Sequence, residues 1–170
     1  DTIYDDLSLI PQDFNCYSTS IINNITFGGV IPDYEISDML KTFGMTELQD
    51  KLFDDYGLEF GGIDLSGGQK QKIAILRGMH KKCALLICDE PTSAIDPIQE
   101  GIINQQLLNI SKKNTAIIVS HRLALSKISD KIIVLSDGKI VEIGRHNDLL
   151  KKKGVYSKLW KSQSLLYKND

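Results

Sequence analysis

A chain of 170 residues, 42% of them hydrophobic, is long enough to build one domain around its own core. Its 20 basic and 22 acidic side chains leave a net charge of −2, which argues against a nucleic-acid partner because such domains carry a basic excess. No apolar run approaches the roughly 18 residues of a membrane span, and the three cysteines, Cys16, Cys83 and Cys88, lack framework spacing and read as reduced thiols.

Residues 7–10 form the first apolar strand, stopped by Pro11. Residues 21–64 read as short helices separated by Gly and Pro, clearest around Ile36, Met39, Leu40 and Phe43 and broken at Gly44. Ser66 opens a helix running to about Met79, and Ser66 with Gln69 has capping-box spacing. Residues 84–88 are a continuous apolar run, the pattern of a strand buried on both faces of a parallel sheet. Asp96 and Pro97 open another helix as N-cap and first helical residue. Residues 115–119 give a further buried strand, followed by a short helix from about Leu123. Asp137-Gly138, between residues 131–135 and 139–143, marks a two-residue hairpin. From Asn147 onward the sequence is helical and amphipathic, and its lysines read as a solvated face.

Strands alternating with helices predict an α/β fold, with a helical insertion between residues 22 and 80. Three of the strands run into polar residues at or just past their carboxyl ends: Gln12, the pair Asp89-Glu90, and His121. Ligands of open α/β sheets sit at that edge.

Two segments carry chemistry of their own. Leu65-Ser66-Gly67-Gly68-Gln69 places unpaired backbone N–H groups and the positive end of a helix dipole where an anion fits. The two glycines let a phosphate approach the backbone, although an ordinary capping box would share part of this pattern. In Leu85-Leu86-Ile87-Cys88-Asp89-Glu90 an apolar strand ends in two carboxylates, the arrangement of a Walker B element. There the first acid serves Mg²⁺ and the second orients and deprotonates the attacking water.

These two segments are followed by Ser93-Ala94-Ile95-Asp96 and Ser120-His121, and preceded by Ile10-Pro11-Gln12-Asp13. The succession resembles the nucleotide-binding (ATPase) domain of ABC transporters, with Q-loop, signature motif, Walker B, D-loop and H-loop in family order across essentially the whole chain. The resemblance is of exporter type. Pro11-Gln12-Asp13-Phe14 leading to Ser20-Ile21 and Asn24-Ile25 is similar to the exporters' Q-loop surroundings. Residues 144–150 followed by Gly154, Tyr156, Leu159 and Gln163 are similar to their C-terminal end.

The resemblance implies a P-loop NTPase-type, mostly parallel sheet. One domain is expected over residues 1–170: Q-loop strand and Q-loop at 1–21, helical subdomain with the signature at 22–80, α/β core at 81–146, and a C-terminal helical segment at 147–170. It implies ATP and Mg²⁺ as ligands, with Asp89 and Gln12 serving the metal. Glu90 would be the general base, and His121 and Gln12 would act beside it in catalysis. Ser66, Gly67 and Gly68 would bind the γ-phosphate of ATP held by an opposite subunit, Leu65, Gln69 and Asp96 would belong to the same cofactor-binding set, and Asp96 would sit at the dimer seam. The implied partners are a second nucleotide-binding domain, in a homodimer or a heterodimer, and an exporter's transmembrane domain on the same polypeptide. The implied location is the cytoplasmic face of the membrane. His80 and His146 match no catalytic position and read as structural or solvated.

The sequence departs from the family pattern in one large way. No G-x-x-x-x-G-K-[ST] phosphate loop (Walker A) occurs in it. The expectation is a truncated domain, lacking that loop, its strand and the adenine-stacking aromatic, and inactive by itself. Residues 58–64, before the signature, are short and lack the exporters' acidic-Arg run. Two alternatives stand beside the exporter reading: a soluble, non-transporter ABC ATPase, and a non-hydrolytic interaction module.

Overall fold

Three apolar runs form a parallel sheet in which β1 (Leu7–Ile10) pairs with β2 (Leu85–Asp89), and β2 with β3 (Thr115–Val119). The computed structural model describes residue 2, residues 5–57 and residues 62–166, with side chains to residue 164. Residues 58–61 of the segment before the signature, and Lys168 among the late lysines, lie outside them. The chain divides into two compact units, Asp1–Val119 and Ser120–Asp170.

In the first unit, the register sets Ile10 beside Cys88 and Cys88 beside Ile118, so side chains of one parity share a sheet face. That face is buried. Ile10, Leu86 and Cys88 join Ile73, Ile75 and Leu76 of α3 (Gly67–His80), together with Ile103 and Leu107 of α4 (Pro97–Ser111), in one core. Burial pushes the Cys88 thiol up to about 12, with a smaller contribution from Cys83, so it stays protonated and unreactive. All three cysteines are free, as expected.

The opposite face corrects a sequence expectation. β2 and β3 were expected to be buried on both faces, but Leu85 and Ile87 of β2 are only partly buried, and Ile117 and Val119 of β3 are each about half exposed, as is Leu9 of β1. The cause is coverage: both core helices pack on the Ile10 side of the sheet, and β3 has only β2 as a pairing partner among the described residues.

Residues 21–52 form the helical insertion: α1 (Ile21–Thr26), α2 (Asp33–Thr42) and a 3₁₀ turn over Thr46–Lys51. Arg77 ties it to α3 and to the segment after Gln12. Its Nε donates to the Asn24 carbonyl at 2.6 Å and one terminal nitrogen to the Asn15 carbonyl at 3.1 Å. Its guanidinium also lies 5.3 Å from the Tyr17 ring centroid and 4.6 Å from that of Phe27.

Helix α3 approaches β1 closely. Ser8 Oγ donates to the Gly78 carbonyl at 2.7 Å, and a Cβ at Gly78 would meet the fully buried Ile10 side chain well inside van der Waals contact. Gly78→Ala is therefore expected to destabilise the unit by about 1–2 kcal/mol, overpacking outweighing the helix-propensity gain. A urea unfolding midpoint at or above that of the wild type would contradict this.

The second unit holds a hairpin of β4 (Ile132–Ser136) and β5 (Lys139–Gly144) packed under α5 (His146–Lys152) and α6 (Val155–Leu166). Asp137 and Gly138 both take positive φ, +51° and +72°, as the two-residue turn requires. The expected single C-terminal helix is broken at Lys153, which sits in the left-handed region. The expected helix from Leu123 is a single 3₁₀ turn at Leu125–Lys127. Tyr156 centres this unit: its hydroxyl lies 2.7 Å from Ser126 Oγ and 2.7 Å from His146 Nδ1, and its backbone N–H donates to Glu142 at 2.8 Å. His146 also packs edge-on against Trp160, which fits a structural histidine.

Candidate nucleotide site

Leu65, only 3% exposed, anchors the chain just before α3. Ser66 then caps the helix: its Oγ accepts from Gln69 N at 3.2 Å, and Gln69 Oε1 accepts from Ser66 N at 2.9 Å. The reciprocal pair leaves the remaining N–H groups of the first turn to outside partners. Gln69 Nε2 donates to Glu47 at 2.8 Å, tying the cap to the insertion. Ser66 and Gly67 are exposed. A Cβ on Gly67 would find nothing within 4 Å, whereas one on Gly68 would lie 3.5 Å from the Ala94 carbonyl. The cap is thus open on one side and backed by the residue 93–96 loop on the other.

Asp89 ends β2, in register with Val119. Glu90, next to it, is held in an unusual conformation, with φ at +46°. A non-glycine residue there costs about 1–2 kcal/mol and persists only where the surroundings over-determine it. Here the backbone does so. Glu90 N donates to the Val119 carbonyl at 2.9 Å, and the Glu90 carbonyl accepts from Ser93 N at 3.2 Å. Pro91 and Thr92 are buried behind it. The loop then delivers Asp96, whose carboxylate accepts from Ile98 N at 3.1 Å and Gln99 N at 3.0 Å and so opens α4.

Gln71 is a residue that the sequence reading missed. It is 1% exposed. Its Oε1 accepts from Ala94 N at 2.8 Å, while Nε2 donates to the Glu90 carbonyl at 3.2 Å and to Ser93 Oγ at 3.1 Å. The only sequence signal was a polar residue on the otherwise apolar face of α3.

Gln12 is exposed, two residues past the end of β1 and on the same sheet edge as Asp89. The structure therefore brings the signature segment, the Asp89-Glu90 pair and the Asp96 loop into one connected arrangement. His121 belongs to the second unit, where its carbonyl accepts from Gln163 Nε2 and the neighbouring Leu123 N donates to Gln163 Oε1 at 3.0 Å. Helix α6 thereby holds the backbone on both sides of Arg122.

Chemically, the first unit offers an open anion-binding helix start beside a strand end that carries two carboxylates, the combination that phosphoanhydride chemistry uses. Residues 3–93 match the family described as ABC transporter. The ATP-dependent lipid A-core flippase of Francisella tularensis is 37% identical over 160 residues, covering 92% of this chain and 26% of the flippase. ATP-binding cassette sub-family B member 6 of Xenopus tropicalis is 38% identical over 160 residues, covering 92% of this chain and 19% of that protein. A bacterial Atm1-family ABC exporter with ATP bound superposes with a TM-score of 0.81 at 31% identity, over 95% of this chain and 29% of that one.

Proposed function

The chain belongs to the ABC transporter family, as a nucleotide-binding domain of exporter type, and from that premise we propose that it is part of the ATP-hydrolysing motor of an exporter. The observation that carries this reading is the Asp89-Glu90 pair at the end of the central strand β2, with Glu90 fixed at positive φ by backbone bonds. In this reading Glu90 orients the attacking water and takes its proton. The open cap at Ser66, Gly67 and Gly68, supported by Leu65 and Gln69, receives the γ-phosphate of ATP bound to the opposite subunit. Gln12 acts beside Glu90, a catalytic role is proposed for His121 by resemblance alone, and Asp96 is proposed to lie at the dimer seam.

The residues present fit a magnesium ion. Among the described residues no group of three or more His, Cys, Asp or Glu side chains is placed to hold a metal. Mg²⁺ favours one or two carboxylates plus substrate phosphates and waters over an all-protein cage. Asp89, assisted by the Gln12 amide, would hold it, and the ion would neutralise charge developing on the phosphates.

No helix among the described residues is long and apolar enough to cross a membrane. The proposed transport path is a transmembrane domain on the same polypeptide, as the exporter-type resemblance implies, with this domain at the cytoplasmic face and dimerised with a second one. The chain spans 26% of the flippase and 19% of the sub-family B protein, which leaves room for such a domain in proteins of their length.

Steady-state phosphate release tests the reading. A complete protein, meaning this chain joined to a phosphate loop, is expected to hydrolyse ATP, and this 170-residue sequence alone to show little or no turnover, because such a loop is the main cradle for the β- and γ-phosphates. Turnover of the isolated chain within about tenfold of the complete protein, abolished by Glu90→Gln, would sink the requirement for the loop. A complete protein without ATPase activity would sink the motor itself.

A further inference from the structure

We propose that Gln71 is a positioning residue that couples the anion-binding cap of α3 to the backbone of Glu90, and hence one ATP site of the dimer to the other. The proposal rests on the reading above, in which Glu90 is the base for one nucleotide and Ser66, Gly67 and Gly68 hold the phosphate of another.

The geometry is specific. Gln71 lies one turn into α3, behind the cap, and only 1% of it is exposed. Its amide orientation is dictated by its partners: Ala94 N can only donate and the Glu90 carbonyl can only accept. With Ser93 Oγ as the third partner, the amide spans the loop from Glu90 to Ala94 with three hydrogen bonds. Breaking them would strand the buried Gln71 amide, although its partners on Glu90, Ser93 and Ala94 lie at a part-buried to exposed loop. A displacement of the α3 N-terminus by an arriving phosphate is therefore carried into the Glu90 carbonyl and the residue 93–96 loop. Because φ of Glu90 is already in the left-handed region, a small pull on its carbonyl re-aims the carboxylate. A Cβ added at Gly68 would lie 3.5 Å from the Ala94 carbonyl, so the same two segments also run close together there.

The test uses the complete protein and two variants of similar side-chain size. Gln71→Met keeps the volume and removes all three bonds. It is expected to lower kcat for ATP hydrolysis about tenfold with KM changed less than about threefold, since a misaimed base slows chemistry without weakening nucleotide binding. Gln71→Glu replaces the amide by a carboxyl that mimics it only when protonated. Burial raises the pKa of such a group, so its kcat relative to wild type is expected to climb as pH falls from 8.5 towards about 6. A Gln71→Met enzyme that melts like wild type and keeps kcat within about twofold of it overturns the coupling. So does a fall in kcat matched by an equal rise in KM. If Gln71→Met fails to fold, the Gln71→Glu profile decides, and no recovery at low pH overturns the proposal. Glu90→Gln is assayed in parallel. Should it retain hydrolysis, the assignment of the base falls and the coupling with it; should it be dead while Gln71→Met is normal, only the coupling falls.

Discussion

Glu90→Gln in the complete protein is expected to lower steady-state phosphate release by about 10²–10⁴-fold, the range that positioned proton transfer supplies, while ATP binding persists. The physical basis is that Glu90 is placed by its backbone. Its N–H is bonded to Val119, its carbonyl accepts from Ser93 and Gln71, and Pro91 and Thr92 behind it are buried. Exchanging a carboxylate for an isosteric amide leaves all of those bonds in place, so the loss reports chemistry rather than folding. Asp89→Asn is the contrasting change. It is expected to weaken the Mg²⁺ dependence of nucleotide binding, because Asp89 is the carboxylate assigned to the metal. Phosphate release and nucleotide binding, each measured with and without Mg²⁺, separate the two. Hydrolysis by the Glu90→Gln protein near the wild-type rate would remove Glu90 from the role of base.

What was legible in the sequence was whatever short-range chemistry dictates. The Ser66–Gln69 capping box, the Asp96-Pro97 helix start and the Asp137-Gly138 turn each stand where expected, because each is decided within four residues. The apolar runs gave the three parallel strands for the same reason. Long-range packing decided the rest. An uninterrupted run such as residues 115–119 signals burial, but the half-exposed Ile117 and Val119 follow from both core helices lying on one face. The sequence Asp89-Glu90-Pro91 contains no glycine to announce a positive φ, which arises from bonds to β3 and to Gln71. Gln71 itself reads as one more polar residue on a helix until the fold brings Ala94 and Glu90 to its amide. The break at Lys153 also escaped, since a lysine in the left-handed region leaves no mark on an amphipathic pattern.

Ser66→Arg in complete domains is expected to weaken ATP-driven dimerisation by about 10- to 100-fold, the equivalent of losing charge-assisted hydrogen bonds to a phosphate, and to leave nucleotide binding by a monomer nearly unchanged. Separation along the chain is no argument for a second subunit, since Gln71 on the signature helix touches the Glu90 carbonyl. A better one lies in the openness of the cap. Ser66 and Gly67 are exposed, and among the described residues nothing approaches the Gly67 Cβ position within 4 Å. A phosphate seated there would meet the described residues of the cap on one side, leaving the other for the proposed second subunit. Losing the Ser66 cap alone costs about 1 kcal/mol, so Ser66→Ala controls for it and is expected to dimerise far better than Ser66→Arg. Mixing a Ser66→Arg subunit with an Asp89→Asn subunit then decides the arrangement. If the cap acts across the dimer, one composite site carries both lesions and the other carries neither, and ATP-dependent association measured by light scattering returns in part. If it acts within one chain, each subunit keeps its own damaged site, and the mixture associates no better than either variant alone.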